Sequence, residues 1–349
     1  MEAEFANKIK RLELENFTCF GKVAMDFSPG INVIIGENGT GKTHLLKVLY
    51  HFIDSFANRN LWDVFKVEKI SSLSRNHEID AKGEIYWNVF ERYFVIESKI
   101  RGDEFKHFGE TKGETSHAKI AESIFLPPQE MISWQEHFIG NNYNRDSGFD
   151  KTWFDLAFAL DRGLSKGSAF EEAKALFSQL EEAISAKIFK KEDEKKFYFR
   201  FHNNGQTEQE ASVVAQGINK IGQLIYLIMN GSLTKDTILF WDEPETNLNP
   251  KYILVVSKFL QTLAKAGCQI FVATHDYLLL SELSMAKQFQ DVQGDVPDMK
   301  FFSLIKGENG TEIEEGGLIS EIQNNPILDE YARLQETKLG LYAKRLQTT

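Results

Sequence analysis

The chemistry most plainly written in this chain lies in Gly36-Glu37-Asn38-Gly39-Thr40-Gly41-Lys42-Thr43. Three glycines, a lysine and a hydroxyl at this spacing match G-x-x-x-x-G-K-[ST], a backbone cradle for phosphate oxygens. Gly36, Gly39 and Gly41 can take positive φ and turn successive N–H groups toward an anion. Lys42 would reach the β- and γ-phosphates of a nucleoside triphosphate, and the Thr43 hydroxyl would ligate Mg²⁺. A second constellation, Ile238-Leu239-Phe240-Trp241-Asp242-Glu243, is an apolar run that ends in two acids. Asp242 suits a divalent cation, directly or through water, and Glu243 suits a general base for an attacking water. In Ala273-Thr274-His275-Asp276 a third apolar run ends in a polar pair, which would let His275 sense a γ-phosphate by a hydrogen bond.

These groups need a scaffold, and the surrounding sequence writes one. Residues 31–35 are a β-branched run of strand length, and 43–57 crowd Leu45, Leu46, Leu49, Tyr50, Phe52 and Ile53 onto one side of a helix. Strand, glycine-rich turn and helix in that order add the helix N-terminus, with its unpaired N–H groups, to the phosphate cradle. A carboxylate at the C-terminal end of a strand faces the ligand crevice of an open α/β sheet, which is where Asp242 stands.

Further strands are expected at 9–14, 23–27, 123–126, 197–201, 238–241 and 268–273, with one long strand or two over 84–98. Helices are expected at 151–164, 169–188, 215–229, 251–266, 277–286 and 327–346. Residues 101–117 read as an exposed hairpin or loop, 134–150 as a polar loop, and the charge run 190–196 as a solvated turn. Gly307-Glu308-Asn309-Gly310-Thr311 repeats the first five residues of the phosphate loop letter for letter. It lacks the Gly-Lys-Thr half and lies between two strand-like runs, so it reads as a hairpin turn and nothing more. Alternation of strand and helix on this scale argues an α/β fold.

Composition sets limits. At 349 residues, with 42% hydrophobic and 26% charged residues, the chain can bury a full core like an ordinary soluble protein. A net charge of −11 excludes a chain-wide basic face for nucleic acid, though not a local one. Cys19 and Cys268 match no metal-ligand spacing and read as reduced thiols of a cytoplasmic protein. No apolar run is long enough to cross a membrane, and the acidic start, followed by no apolar segment, does not read as a signal peptide.

Spacing then narrows the class. Thr43 and Asp242 stand 199 positions apart, Asp242-Glu243 runs directly into Pro244-Glu245-Thr246-Asn247-Leu248-Asn249-Pro250, and His275 comes soon after. Over residues 8–53 and 211–280 this resembles the ABC-type ATPase superfamily, in its soluble branch with the SMC, RecF and OLD proteins. The resemblance implies a P-loop head with a mixed-sheet core and a short, mostly helical insertion. Residues 1–125 and 206–290 would form the two parts of the head, 126–205 the insertion, and 291–349 a C-terminal hairpin and helix. ATP and Mg²⁺ are the implied ligands, with Asp242-Glu243 as Walker B, Thr246 to Asn249 as the D-loop and His275 as the switch histidine. Heads of this family dimerise with ATP sandwiched between the P-loop of one subunit and the signature motif of the other.

The segment matching the signature is Val214-Ala215-Gln216-Gly217-Ile218-Asn219-Lys220. It departs from L-S-G-G-Q, because Ala215 stands where the phosphate-binding serine is expected. Gly217 and the helix start could still offer backbone N–H groups to a γ-phosphate in trans, and Lys220 could add charge. Gln129, after Pro127-Pro128, is the Q-loop candidate, with Gln135 and Glu130 as rivals.

SMC relatives carry long coiled coils in the insertion, and nothing here sustains several heptads. The stretch after His275 shows no Asp-x-Asp constellation of the nuclease domain that OLD proteins append. Three functions remain. The chain is similar to stand-alone ATPases of prokaryotic anti-phage defence, in which an ATP-bound homodimer, or a higher assembly, controls a neighbouring effector such as a nuclease or toxin. Alternatively it is a RecF-like repair ATPase that binds DNA, through a surface such as Lys8, Lys10, Arg11, Lys66, Lys69 and Arg75. In the third reading it is a scaffold that binds nucleotide and hardly turns it over.

Overall fold

The computed structural model describes residues 8–54, 61–76, 80–89, 92–101, 104–112, 122–140, 148–191, 193–202 and 207–347. In chain order these form β1 (Lys8–Phe17), β2 (Phe20–Asp26), β3 (Ile31–Gly36), α1 (Lys42–Asp54), α2 (Leu61–Phe65), β4 (Ala81–Val89), β5 (Arg92–Arg101), β6 (Glu104–Lys112) and β7 (Ser123–Leu126). The middle of the chain gives α3 (Gln135–Gly140), α4 (Lys151–Asp161), α5 (Ser168–Ile184), β8 (Ala186–Lys191), β9 (Lys196–Phe201), β10 (Glu208–Glu210) and α6 (Gln216–Met229). The last third gives β11 (Ile238–Asp242), α7 (Pro250–Ala266), β12 (Gln269–Ala273), α8 (Tyr277–Gln288), α9 (Gln290–Gln293), β13 (Met299–Gly307), β14 (Gly310–Gly316) and α10 (Pro326–Gln347).

Eleven strands make one sheet in the order β6-β5-β4-β1-β2-β14-β13-β3-β12-β11-β7. The sheet is mixed. Strands β13, β3, β12, β11 and β7 run parallel, whereas β6, β5, β4, β1 and β2 form an antiparallel meander. Every residue of β3, β11 and β12 is buried, as parallel strands covered on both faces require. In β1 buried and half-buried residues largely alternate, because less of that half is covered.

Successive residues of one strand enter opposite cores. Ile31, Val33 and Ile35 join Leu239, Trp241, Ile270 and Val272 beneath α6, α7 and α8. Ile34, Phe240 and Phe271 join Leu45, Leu46 and Leu49 of α1 on the other face. Each side chain of this size contributes about 1.5–3 kcal/mol on burial. The two faces together lock the strand ends in place.

Several expected bounds move. The helix expected over 169–188 stops at Ile184, because Ser185 takes the left-handed conformation at φ 52°. Ile188 therefore lies in β8, buried within a second sheet of order β10-β9-β8. The polar stretch 134–150 contains α3, and its residues 141–147 lie outside those described. Residues 84–89 lie in β4 and 92–98 in β5, and β6 takes 104–112 of the stretch 101–117, with 90–91, 102–103 and 113–117 outside those described. Helix α6 is buried almost all round rather than along one stripe, Asn219, Lys220 and Gln223 included. Among the described residues no helix is long and apolar enough to cross a membrane.

Candidate functional site

Three adjacent parallel strands deliver the chemistry to one edge of the sheet. β12 pairs with β3 on one side and β11 on the other, with Ala273 opposite both Ile34 and Asp242. Gly36, Asp242 and His275 therefore leave the sheet side by side, where a parallel sheet opens its crevice.

The phosphate loop has the geometry its glycines foretell. Gly36, Gly39 and Gly41 take φ of 148°, 80° and 99°. Gly41 leaves no room for a side chain, since a Cβ there would meet Cys19 Sγ at 2.2 Å. Glu37, Asn38 and Gly39 are exposed, while Thr40 is buried and its hydroxyl donates to the Glu37 carbonyl at 2.9 Å. Lys42 is buried, and its Nζ donates to the carbonyls of Gly36 and Glu37, both at 2.9 Å. Burial lowers the Lys42 pKa from its ordinary value, against the pull of Asp242, Glu243 and Glu245.

The Thr43 hydroxyl donates to Asp242 Oδ2 at 2.7 Å. Asp242 Oδ1 is buried and makes no hydrogen bond, a cost that a protein interior seldom leaves unanswered. A threonine hydroxyl beside a carboxylate with one orphaned oxygen is a donor set that fits Mg²⁺. Burial, the largest cause, raises the Asp242 pKa.

Glu243 adopts φ 47°, an unfavourable conformation for a non-glycine residue. Its Oε1 lies 3.6 Å from His275 Nε2, and its Oε2 accepts from the Thr246 hydroxyl at 3.2 Å. Burial first, and the charge of Lys42 second, lower the His275 pKa against the pull of Glu243, which favours the neutral imidazole.

Two residues to which the sequence assigns no such role hold this loop. Lys220 of α6 is 2% exposed and donates to the carbonyls of Glu243 at 2.9 Å and Thr246 at 3.0 Å. It points into its own loop and not outward to a phosphate in trans. Burial pushes its pKa down to about 8. Glu245 accepts the backbone N–H of His275 at 2.8 Å, and burial raises its pKa. The signal for Lys220 was a lysine on a nearly all-apolar helix, whose partner could be a carbonyl only once the fold was known.

The remaining candidates have other surroundings. Ala215 is the exposed N-cap of α6 and makes no side-chain cap. Gly217 packs on the same chain's loop, where a Cβ would meet the Asn247 carbonyl at 2.7 Å. That close approach explains the glycine without a ligand. Gln129 is exposed just past the C-terminal end of β7. Its rivals are tied down: Glu130 accepts from Ser133 N at 3.1 Å and from Asn219, and Gln135 donates toward Ala157 O and Asp161. The hairpin of β13 and β14 is more than a turn, because Thr311 donates through Oγ1 to the Thr40 carbonyl at 2.9 Å.

Comparisons with known proteins agree with this geometry. Residues 31–281 match the family described as "AAA domain, putative AbiEii toxin, Type IV TA system". Among curated proteins, the DNA replication and repair protein RecF of Streptococcus uberis is 36% identical over 91 residues, 22% of this chain and 25% of that protein. RecF of Carboxydothermus hydrogenoformans is 42% identical over 148 residues, 41% of this chain and 38% of that protein. The chain thus spans well under half the length of the curated relatives it matches. Among solved structures, an SMC head bound to the C-terminal winged-helix domain of ScpA superposes with a TM-score of 0.59 at 16% identity, covering 89% of this chain and 98% of that one. The SMC head of Thermotoga maritima gives 0.52 at 13% identity, with 88% and 98% covered. These two establish the fold alone. With its P-loop, the two acids after β11 and His275 on adjoining strand ends, and with the family model matching most of its length, the chain belongs to this AAA-domain family, in a fold shared with SMC heads.

Proposed function

We propose that this chain binds ATP with Mg²⁺, hydrolyses it slowly, dimerises around it and thereby controls a partner effector in a prokaryotic defence system. The observation that carries the chemical part is the pairing of Glu243 with His275 at 3.6 Å, beside a phosphate loop whose Thr43 is bonded to Asp242. Thr43 and Asp242 would hold Mg²⁺, which when bound offsets charge on the phosphates. Lys42 would leave its two loop carbonyls for phosphate oxygens. Glu243 accepts a proton from water, and neutral His275 offers a hydrogen bond to the γ-phosphate. The strained backbone of Glu243, held by Lys220, fixes where that carboxylate points.

Dimerisation rests on the likeness to heads that close around ATP, and the start of α6, exposed at Ala215 and Gln216, is where a second subunit's nucleotide would find helix-terminal N–H groups. The missing serine there supports slow turnover. The defence role rests on the family description, with its toxin system, and on the likeness to stand-alone ATPases of that kind. The RecF matches favour a second reading, in which the chain is a repair ATPase that binds DNA.

The test is a pair of variants in a chain expressed with its neighbouring genes. Glu243→Gln should accumulate ATP-bound dimers that retain a stoichiometric partner, and Lys42→Ala should form none. If Mg-ATP adds no association to Glu243→Gln beyond that of the nucleotide-free chain, the sandwich fails. ATP turnover stimulated by DNA, lost steeply as salt rises, would move the function to repair.

A further inference from the structure

The phosphate loop fixes where a triphosphate sits, and strand order says which way its nucleoside points. β12 and β11 lie on one side of β3 and end at His275 and at Asp242-Glu243. The γ-phosphate and its cation face that side. An extended triphosphate anchored so sends its nucleoside the other way, toward β2 and β1. What stands there is aromatic. Thr43 turns toward β11, where it bonds Asp242. His44, one residue on and about 3.8 Å away between Cα atoms, is carried about 100° further round α1. It is exposed, and its ring meets Phe65 of α2 edge to face at 5.4 Å. Phe65 is half-buried and meets the buried Phe17 of β1 in the same way at 5.7 Å. The three rings make a ledge with a buried foot and an exposed imidazole at its rim.

The foot of the ledge is held against the phosphate loop. Asn16 and Thr18, on either side of Phe17, take φ of 53° and 50°, a conformation unfavourable above all for a β-branched threonine. Three hydrogen bonds keep that turn in place. Thr18 N–H donates to the Leu73 carbonyl at 2.6 Å, Arg75 N–H to the Asn16 carbonyl at 3.0 Å, and Asn76 N–H to Asn16 Oδ1 at 2.7 Å. Cys19, next in the chain, donates its thiol to the Thr40 carbonyl at 3.3 Å. Core packing accounts for Phe17 and for the inner side of Phe65. It does not account for an exposed imidazole aligned with them beside the cradle.

We propose that His44 and Phe65 form the nucleobase shelf of this site, on which a purine stacks against the His44 ring with Phe65 and Phe17 behind it. The shelf rests on the ATP reading above and adds the residues that meet the base. Stacking uses the π-face that every base has and strengthens with ring area, so a purine nucleoside triphosphate binds better than a pyrimidine one.

The test is a set of calorimetric titrations of the full chain with ATP, UTP and inorganic triphosphate, each with Mg²⁺. The parent should bind ATP several-fold more tightly than UTP. His44→Ala should raise the Kd for ATP about tenfold, close the gap to UTP, and leave inorganic triphosphate within about twofold. His44→Phe, which keeps a ring and removes its nitrogens, should hold ATP near the parent value. Phe65→Leu should act in the same direction as His44→Ala by a smaller factor. Proton spectra supply a direct readout: the His44 ring signals should move upfield with ATP and stay in place with inorganic triphosphate. Unchanged ATP affinity in His44→Ala would overturn the shelf, and so would an equal loss for inorganic triphosphate, which would make His44 a phosphate contact. A parent that binds inorganic triphosphate as tightly as ATP would overturn the shelf alone. A parent that binds none of the three would overturn the ATP reading and the shelf with it.

Discussion

Gly36-Glu37-Asn38-Gly39-Thr40 and Gly307-Glu308-Asn309-Gly310-Thr311 are the same five residues in two different structures. In the first, Gly36 closes a buried parallel strand, Gly39 turns at φ 80° in open space, and the chain runs on into α1. In the second, Gly307 pairs with Gly310 across a hairpin, and the chain returns as β14. The difference lies in the residues immediately downstream. Gly41-Lys42-Thr43 and a helix-forming apolar stripe pull the first copy into a phosphate loop. Glu312-Ile313 gives the second a strand to pair. The copies also touch. β13 lies parallel to β3 with Leu304 opposite Gly36, so Thr311 bonds the carbonyl of Thr40 and Lys306 pairs with Glu37 at 3.1 Å. One copy is the cradle and the other is its brace.

That contrast can be broken at the lysines first. Lys42→Ala should weaken ATP binding by about 3 kcal/mol, because a buried ammonium contributes most to anchoring phosphate. Lys306→Ala, on an exposed pair, should stay within about 1 kcal/mol and lose even that in high salt. Calorimetric titration with ATP separates them, and equal effects would erase the distinction. pH adds a second readout at Lys42. Its folded pKa lies below its ordinary value of 10.5, so at alkaline pH the unfolded chain holds the proton longer than the folded one. Its contribution to ligand-free stability therefore rises with pH through that window, while ATP affinity falls as the ammonium is lost. Denaturant titrations of the parent and Lys42→Met should diverge in that direction.

The glycines come next in size. Gly310→Ala should cost about 2–3 kcal/mol, since φ is 113° and a Cβ would sit 2.6 Å from Gly21 N. Gly39→Ala, at φ 80° with nothing within 4 Å, should cost only about 1 kcal/mol of stability. Melting temperatures of the two variants rank them, and a reversed order would mean that packing does not decide the hairpin. The smallest effect sharpens the brace. Thr311→Val should lose about 1 kcal/mol and a few-fold in ATP affinity, through one bond to Thr40. Unchanged affinity would make the hairpin a neighbour and not a support.

Most of the site's ingredients were legible because each was a local pattern. Glycine φ at Gly36, Gly39 and Gly41, the Thr43 hydroxyl and the acids after β11 all follow from short-range chemistry and from the apolar runs that carry them. The helix end at Ser185 was not legible, because α5 and β8 are both apolar enough to continue either pattern. The brace was hidden for a different reason. Thr311 and Thr40 lie 271 residues apart, and only strand order brings them together.

By itself, then, the sequence determined which residues can bind a triphosphate and which strands must carry them, since turn geometry and hydrophobic period are local properties. Tertiary structure alone decided what holds those residues still. Lys220 of α6 grips the loop after Asp242, Gly217 lets that helix approach, and the hairpin copy steadies the phosphate loop. Each of these contacts joins a side chain or a close approach to a backbone carbonyl far along the chain. Every residue has such a carbonyl, so no spacing in the sequence marks which one will be chosen.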